Sequence, residues 1–131
     1  MTEVQPVVCI EHKPQAIMVE ILCRELMQPD EISRAEESIV TVLMENKGAN
    51  LIMDFQNVRM LSSSAFGFLL KLNKYITQRR GRLILCNLEK KVTNSPSDSY
   101  IYEIFKVVKL DRVFTICPDI PAALKLLDNS K

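Results

Sequence analysis

Leu51-Ile52-Met53-Asp54-Phe55-Gln56-Asn57-Val58-Arg59-Met60-Leu61-Ser62-Ser63-Ser64-Ala65-Phe66-Gly67-Phe68-Leu69-Leu70-Lys71-Leu72 is the stretch whose reading decides the fold. It opens as an apolar run, crosses a polar bend from Asp54 to Arg59, and meets three serines. Beyond them Ala65, Phe66, Leu69, Leu72 and Ile76 recur at helical spacing, with Phe68 and Tyr75 broadening the stripe. The run Leu51–Phe55 reads as a strand apolar enough to lie centrally in a sheet. The spacing predicts a helix from about Ser63 to Arg79, with Ser62 or Ser63 as its N-cap. Arg79 and Arg80 oppose the negative end of the helix dipole, and Gly81 is expected to close the helix.

Upstream, Val4 to Ile10 reads as a strand, Glu11-His12-Lys13-Pro14 as a turn, and Gln15 to Leu22 as a second strand. Two strands joined by a short polar turn predict an antiparallel hairpin. The chain then leaves the sheet from Arg24 to Pro29. Asp30, or Ser33, is a candidate N-cap for a helix carrying Ile32, Ala35, Ile39, Val42 and Leu43, with Gly48 after its end. Downstream, Arg82 to Leu88 reads as a fourth strand and the polar Lys90 to Ser99 as an exposed loop. A third helix is expected from Tyr100 to Lys109, then a short edge strand from Val113 to Cys117. Pro121 fits the first turn of a last helix ending near Leu127. The alternation of strand and helix implies parallel pairing through right-handed crossovers. The expected fold is therefore α/β: one domain over 1–131, with a mixed four- to five-stranded sheet, an N-terminal antiparallel hairpin and about four flanking helices.

The 131 residues are 47% hydrophobic and 25% charged with a net charge of +1, enough apolar material for one packed core. A balance so near zero lacks the basic footprint of a general nucleic-acid binder. The charge is nonetheless segregated. Glu20 to Glu45 carries seven acids against two bases, net −5, and Lys71 to Lys91 carries seven bases against one acid, net +6. These read as solvated helix faces of opposite sign or as a polar protein-binding surface. Cys9, Cys23, Cys86 and Cys117 form no C-x-x-C pair and sit among apolar residues, which suits buried free thiols in a reducing compartment. With no apolar leader and no run of membrane-spanning length, the expectation is a soluble cytoplasmic protein with no membrane span.

Catalytic chemistry finds little support. His12 is the only histidine and falls in the expected surface turn. No G-x-S-x-G elbow, phosphate-binding glycine loop or zinc ligand spacing occurs, and Gly48, Gly67 and Gly81 are the only glycines. No enzyme, cofactor or metal is expected. The serines remain, and they admit three readings. One caps the helix; one could accept a phosphate, whose charge a helix N-terminus accommodates; or the helix start is an unmodified interface.

The run Leu51–Phe55, Asn57-Val58 and Leu61–Leu70 resembles the central segment of STAS domains, the anti-sigma factor antagonist and sulfate-transporter-type domains. The resemblance continues through Arg80–Leu88, Val107–Phe114 and Pro121–Leu124. It implies a partner switch. An unphosphorylated antagonist binds an anti-sigma factor that is itself a serine kinase; phosphorylation releases it, and a phosphatase restores it. The acceptor in that scheme is Ser63, with Ser62 and Ser64 as alternatives, and Asp54 is the strand-end acid. The partner-binding residues are Met27, Gln28, Asp30, Leu61, Ser62, Ser64, Ala65, Phe66 and Phe68. The chain departs from the family pattern where Ser62 replaces an acid, Ala65 replaces a glycine, and Met27 stands where an acid is usual. The missing acids motivate one alternative, a constitutive STAS scaffold or adaptor; another, from a different class, is a small-ligand domain that binds a nucleotide or lipid group at the helix start. In the loop 93–100, Ser95, Ser97 and Ser99 are further hydroxyls.

Overall fold

A computed structural model of the chain describes residues 6–88 and 109–128. Its centre is the run that the sequence marks as most apolar. Strand β4, Leu51–Asp54, is buried at every position and lies in the middle of a five-stranded sheet. The other strands of that sheet are β1 (Val8–His12), β2 (Ile17–Ile21), β6 (Leu83–Cys86) and β7 (Thr115–Cys117), in the order β1-β2-β4-β6-β7. β1 and β2 form the expected antiparallel hairpin, with Ile10 opposite Val19. β2, β4, β6 and β7 run parallel, with Met53 between Val19 and Leu85. The fold is thus mixed α/β.

Alternation along the strands divides the interior in two. Val19, Ile21, Leu51, Met53, Leu83 and Leu85 face helices α1 (Pro29–Glu45) and α2 (Ser63–Gln78). Ile52, Ile84, Cys86 and Cys117 face helix α3 (Ile120–Asp128), which presents Ala123 and Leu127. Each helix buries the stripe that its sequence period supplies: Ile32, Ala35, Ile39 and Leu43 in α1, and Ala65, Phe68, Leu69, Leu72 and Ile76 in α2.

Several boundaries differ from expectation for identifiable reasons. β1 runs from Val8 to His12 rather than stopping at Ile10, because an edge strand can extend through polar residues on its exposed side. His12 therefore lies at a strand end, exposed. Neither Asp30 nor Ser33 caps α1. Gln28 is the cap residue and Pro29 occupies the first helical position, where its missing N–H is no loss. Asp30 and Glu31 instead lie in the first turn, facing the positive dipole end. Arg24–Pro29 and Asn57–Leu61, read as irregular connections, contain strands β3 (Glu25–Leu26) and β5 (Met60–Leu61), which pair in parallel as a separate two-stranded ladder. α2 ends in a Schellman turn, with Arg80 N–H donating to Thr77 O and Gly81 N–H to Ile76 O, both at 3.0 Å. The left-handed position is Arg80, φ 66°, and not Gly81.

Of the cysteines, Cys86 and Cys117 are buried, but Cys9 is exposed and Cys23 half-buried, which corrects the expectation of four buried thiols. Cys9 lies on the edge strand β1, on the sheet face opposite Val8 and Ile10, which pack against the α1–α2 core. Burial, followed by the nearby Asp54 carboxylate, pushes the Cys86 thiol up to about 12, so it stays neutral and inert at physiological pH. Three α-helices flank the sheet among the described residues. The expected loop Lys90–Ser99 and all but Lys109 of the expected helix Tyr100–Lys109 lie outside them.

Candidate functional site

The site is built where the strands of the parallel sheet end. Asp54 closes β4 and is 6% exposed. Its Oδ1 accepts from Gln56 N–H at 2.9 Å and from Asn87 Nδ2 at 2.8 Å. Asn87 holds a left-handed backbone, φ 60°, just past β6. The strand-end acid thus turns the chain after β4 and ties that turn to β6. Asn57 performs the matching task toward β2, donating to Glu20 Oε2 at 3.0 Å and to Ile21 O at 3.3 Å. These two polar anchors aim the following residues away from the sheet.

Those residues meet the segment after β2. Arg24 O accepts from Arg59 N–H at 2.7 Å and Met60 N–H at 3.2 Å, and Leu26 O accepts from Ser62 N–H at 3.2 Å. Residues 24–28 and 59–64, far apart in sequence, become one surface. Alternation sorts its side chains: Leu26 and Leu61 point inward, whereas Glu25, Met27 and Met60 point out. Met27 is 38% exposed and Met60 40%.

The three serines have different fates. Ser62 is the N-cap of α2, and its Oγ accepts from Ala65 N–H at 3.2 Å. Its hydroxyl is committed to the helix. Ser63 and Ser64 are exposed in the first turn, and no side-chain hydrogen bond holds them among the described residues. They sit at the positive end of the α2 dipole. Replacing Ser62 with Ala is expected to destabilise the protein by about 1 kcal/mol, as for other lost caps, with Ser63→Ala near zero. Denaturant melts of the two variants distinguish these values; equal losses would contradict the assignment of the cap.

The fold therefore gathers Met27, Gln28, Asp30, Ser62, Ser63 and Ser64 at one end of the helix layer. Asp30 lies 3.5 Å from Arg34 in an exposed ion pair. The fold does not bring Leu61, Ala65 and Phe68 to the surface. All three are buried in the core, because the helical period that exposes Ser63, Ser64 and Gly67 turns positions 65 and 68 inward. Phe66 is half-buried against the same core. Sequence reading missed Met60, whose signal was two apolar residues, Met60-Leu61, in an otherwise polar bend. Among the described residues no group of His, Cys, Asp and Glu could hold a metal, and no helix is long and apolar enough to cross a membrane.

Known proteins share this architecture. No curated protein matches the chain by sequence. Among solved structures, an anti-sigma-factor antagonist (STAS) domain protein from Planctomyces limnophilus superposes with a TM-score of 0.76 at 18% identity, covering 92% of this chain and 97% of that one. The Bacillus cell fate determinant SpoIIAA in its phosphorylated form gives a TM-score of 0.61 at 19% identity, covering 95% and 99%. The murine anion transporter Solute Carrier 26 family member A9 gives 0.71 at 12% identity, covering 92% of this chain but 19% of the transporter. The profile of the STAS domain matches residues 31–123, from the first turn of α1 into α3. The chain belongs to the STAS domain family.

Proposed function

We propose that this chain is an anti-sigma factor antagonist-like interaction module whose β3–β5 surface and α2 start dock on a serine-kinase anti-sigma factor. Ser63 is the phosphate acceptor that controls the docking, and a phosphatase resets it in a pathway of transcription regulation. The observation that carries the proposal is the division of labour at the serines: Ser62 supplies the cap, which leaves the exposed Ser63 hydroxyl free for chemistry. A phosphate there adds about −1.5 to −2 charge at a helix start that accommodates it. The fold stays intact while Met27, Gln28 and Asp30 are hidden behind a charged, hydrated group that a partner must desolvate. The likeness to antagonists, in a protein that belongs to the STAS family, supports the class. The module acts by binding rather than by turnover.

With ATP and a kinase-type partner, phosphate is expected on Ser63 by mass spectrometry. Ser63→Asp weakens the complex by about tenfold or more through the introduced charge, while Ser63→Ala keeps binding and loses the phosphate. Absence of phosphate on Ser62 to Ser64 together with absence of binding overturns the proposal. A second reading, a constitutive scaffold, is favoured by Met27 and Ser62 standing where the family places acids. It predicts a complex indifferent to Ser63→Asp.

A further inference from the structure

α1 and α2 lie side by side on one face of the sheet, each returning from the end of one parallel strand to the start of the next, so they run in the same direction. Their inner stripes are buried, and the rest of their surfaces differ in sign. α1 carries Asp30, Glu31, Glu36, Glu37 and Glu45 against Arg34 alone. α2 carries Lys71 and Lys74 with no acid, and Arg79 and Arg80 follow it. The two helices are joined by an ion pair, Lys71 Nζ to Glu36 Oε1 at 3.0 Å, which sets them in register. Next to that pair an apolar groove of about 40 Å³ runs between the helices, lined by Val40, Phe68, Leu72 and Tyr75. Further along α1, Met44 is 65% exposed. At the C-terminal end of α2 the guanidinium of the cap residue Arg79 stacks 3.7 Å above the Tyr75 ring. Glu37 and Lys74 are exposed and their side chains have no partner among the described residues.

We propose that this two-helix face binds a second copy of this chain about a two-fold axis parallel to the helices, with α1 of each copy over α2 of the other. The charge pattern selects that occupant and that axis. Rotation about an axis along the helices exchanges the acidic and basic ridges, so acid meets base twice in one closed, isologous contact. Rotation about the other in-plane axis stacks acid on acid and base on base. Because Glu36 and Lys71 stand at one height, the rotation brings Glu37 toward Lys71 and Lys74 of the second copy. Val40 and Tyr75 supply apolar area beside these charged contacts, and Met44 extends it further along α1. The surface runs along the helices, away from the serine-bearing end, so the inference goes beyond the partner switch.

Analytical ultracentrifugation of the wild-type chain is expected to show a reversible dimer that dissociates as salt rises. Glu37→Lys and Lys74→Glu each convert two attractions per dimer into repulsions, weakening it by about ten- to thirtyfold. Mixed one to one, the two variants meet acid with base at both contacts and regain an affinity within about threefold of wild type, since additivity holds to a few tenths of a kcal/mol. Circular dichroism checks that each variant keeps its melting temperature. If one loses it, Glu37→Gln with Lys74→Gln reads the same contacts through smaller losses. A wild-type monomer at every concentration, unchanged dimers in the single variants, or a mixture no tighter than its components each overturns the proposal.

Discussion

Gly81→Ala is expected to cost about 3 kcal/mol or more, the upper range for forced overpacking. Its backbone is not left-handed, so conformational freedom is not the reason for glycine. The reason is space. A Cβ at position 81 would overlap the Ala49 carbonyl oxygen, stand 3.2 Å from the Ala49 carbonyl carbon, and touch Ile76 Cγ2 at 3.0 Å. Ala49 cannot easily yield. It is held between the turn after α1, where its N–H donates to Asn46 O at 3.1 Å, and Asn50, whose Oδ1 accepts from Arg82 N–H at 2.9 Å. Position 81 is fixed from its own side by the Ile76 carbonyl. Relief would have to separate the starts of β4 and β6, which are joined by Leu51 N–H to Arg82 O at 2.8 Å. With a urea slope of about 1–3 kcal/mol/M for a domain of this size, the midpoint falls by roughly 1–3 M. Gly67→Ala is the internal control. Beyond its chain neighbours and the backbone of its own helix, no atom stands within 4 Å of a Cβ added there, and alanine in an exposed helix interior gains about 0.5–1 kcal/mol. Equal midpoints for the two variants would refute the steric account.

Position 81 also shows how legibility divides. A glycine after a helical run reads from sequence as a C-cap, and the helix does end there, but the positive φ falls one residue earlier on Arg80. The close approach of Ala49 depends on how the starts of the neighbouring strands β4 and β6 meet, which no local pattern encodes. The same division holds at the site. The apolar run Leu51–Met53 and the stripe Ala65, Leu69, Leu72 and Ile76 were legible because burial imposes a period on the sequence. Asp54 was legible as a strand-end acid through family resemblance, but its bond to Asn87 was not. Two-residue strands such as β3 and β5 are too short to show any period, so the ladder that unites Met27 with Ser62 left no trace. Ala65 and Phe68 were drawn into the expected partner surface because they are contiguous with the serines in sequence. A helix start exposes a face, not a run, and the period of 3.6 assigns both residues to the core.

The ladder itself carries the second large effect. Leu26 is fully buried and belongs to the core that includes Phe55, Val58 and Leu61. Leu26→Ala removes that contact and leaves a cavity, at an expected cost of about 2–4 kcal/mol. The loss should not be shared evenly across the molecule. β4 is held on both sides by β2 and β6, whereas β3 is held by β5 alone. The bonds at risk are Ser62 N–H to Leu26 O and the two amides that reach Arg24 O. Amide exchange at Arg59, Met60 and Ser62 is therefore expected to accelerate more than at Ile52 or Met53. The Ser62 cap should loosen with it, since Ser62 is positioned by the same backbone bond. Met27→Ala, one position along on the outward face, should change stability by less than about 0.5 kcal/mol. If the docking surface is the one proposed, the two substitutions separate: Met27→Ala weakens the complex through lost contact in a stable protein. Leu26→Ala weakens it because the two halves of the surface no longer hold their spacing. Uniform acceleration of exchange in Leu26→Ala, with Ser62 no faster than Met53, would show that the ladder does not organise this end of the molecule.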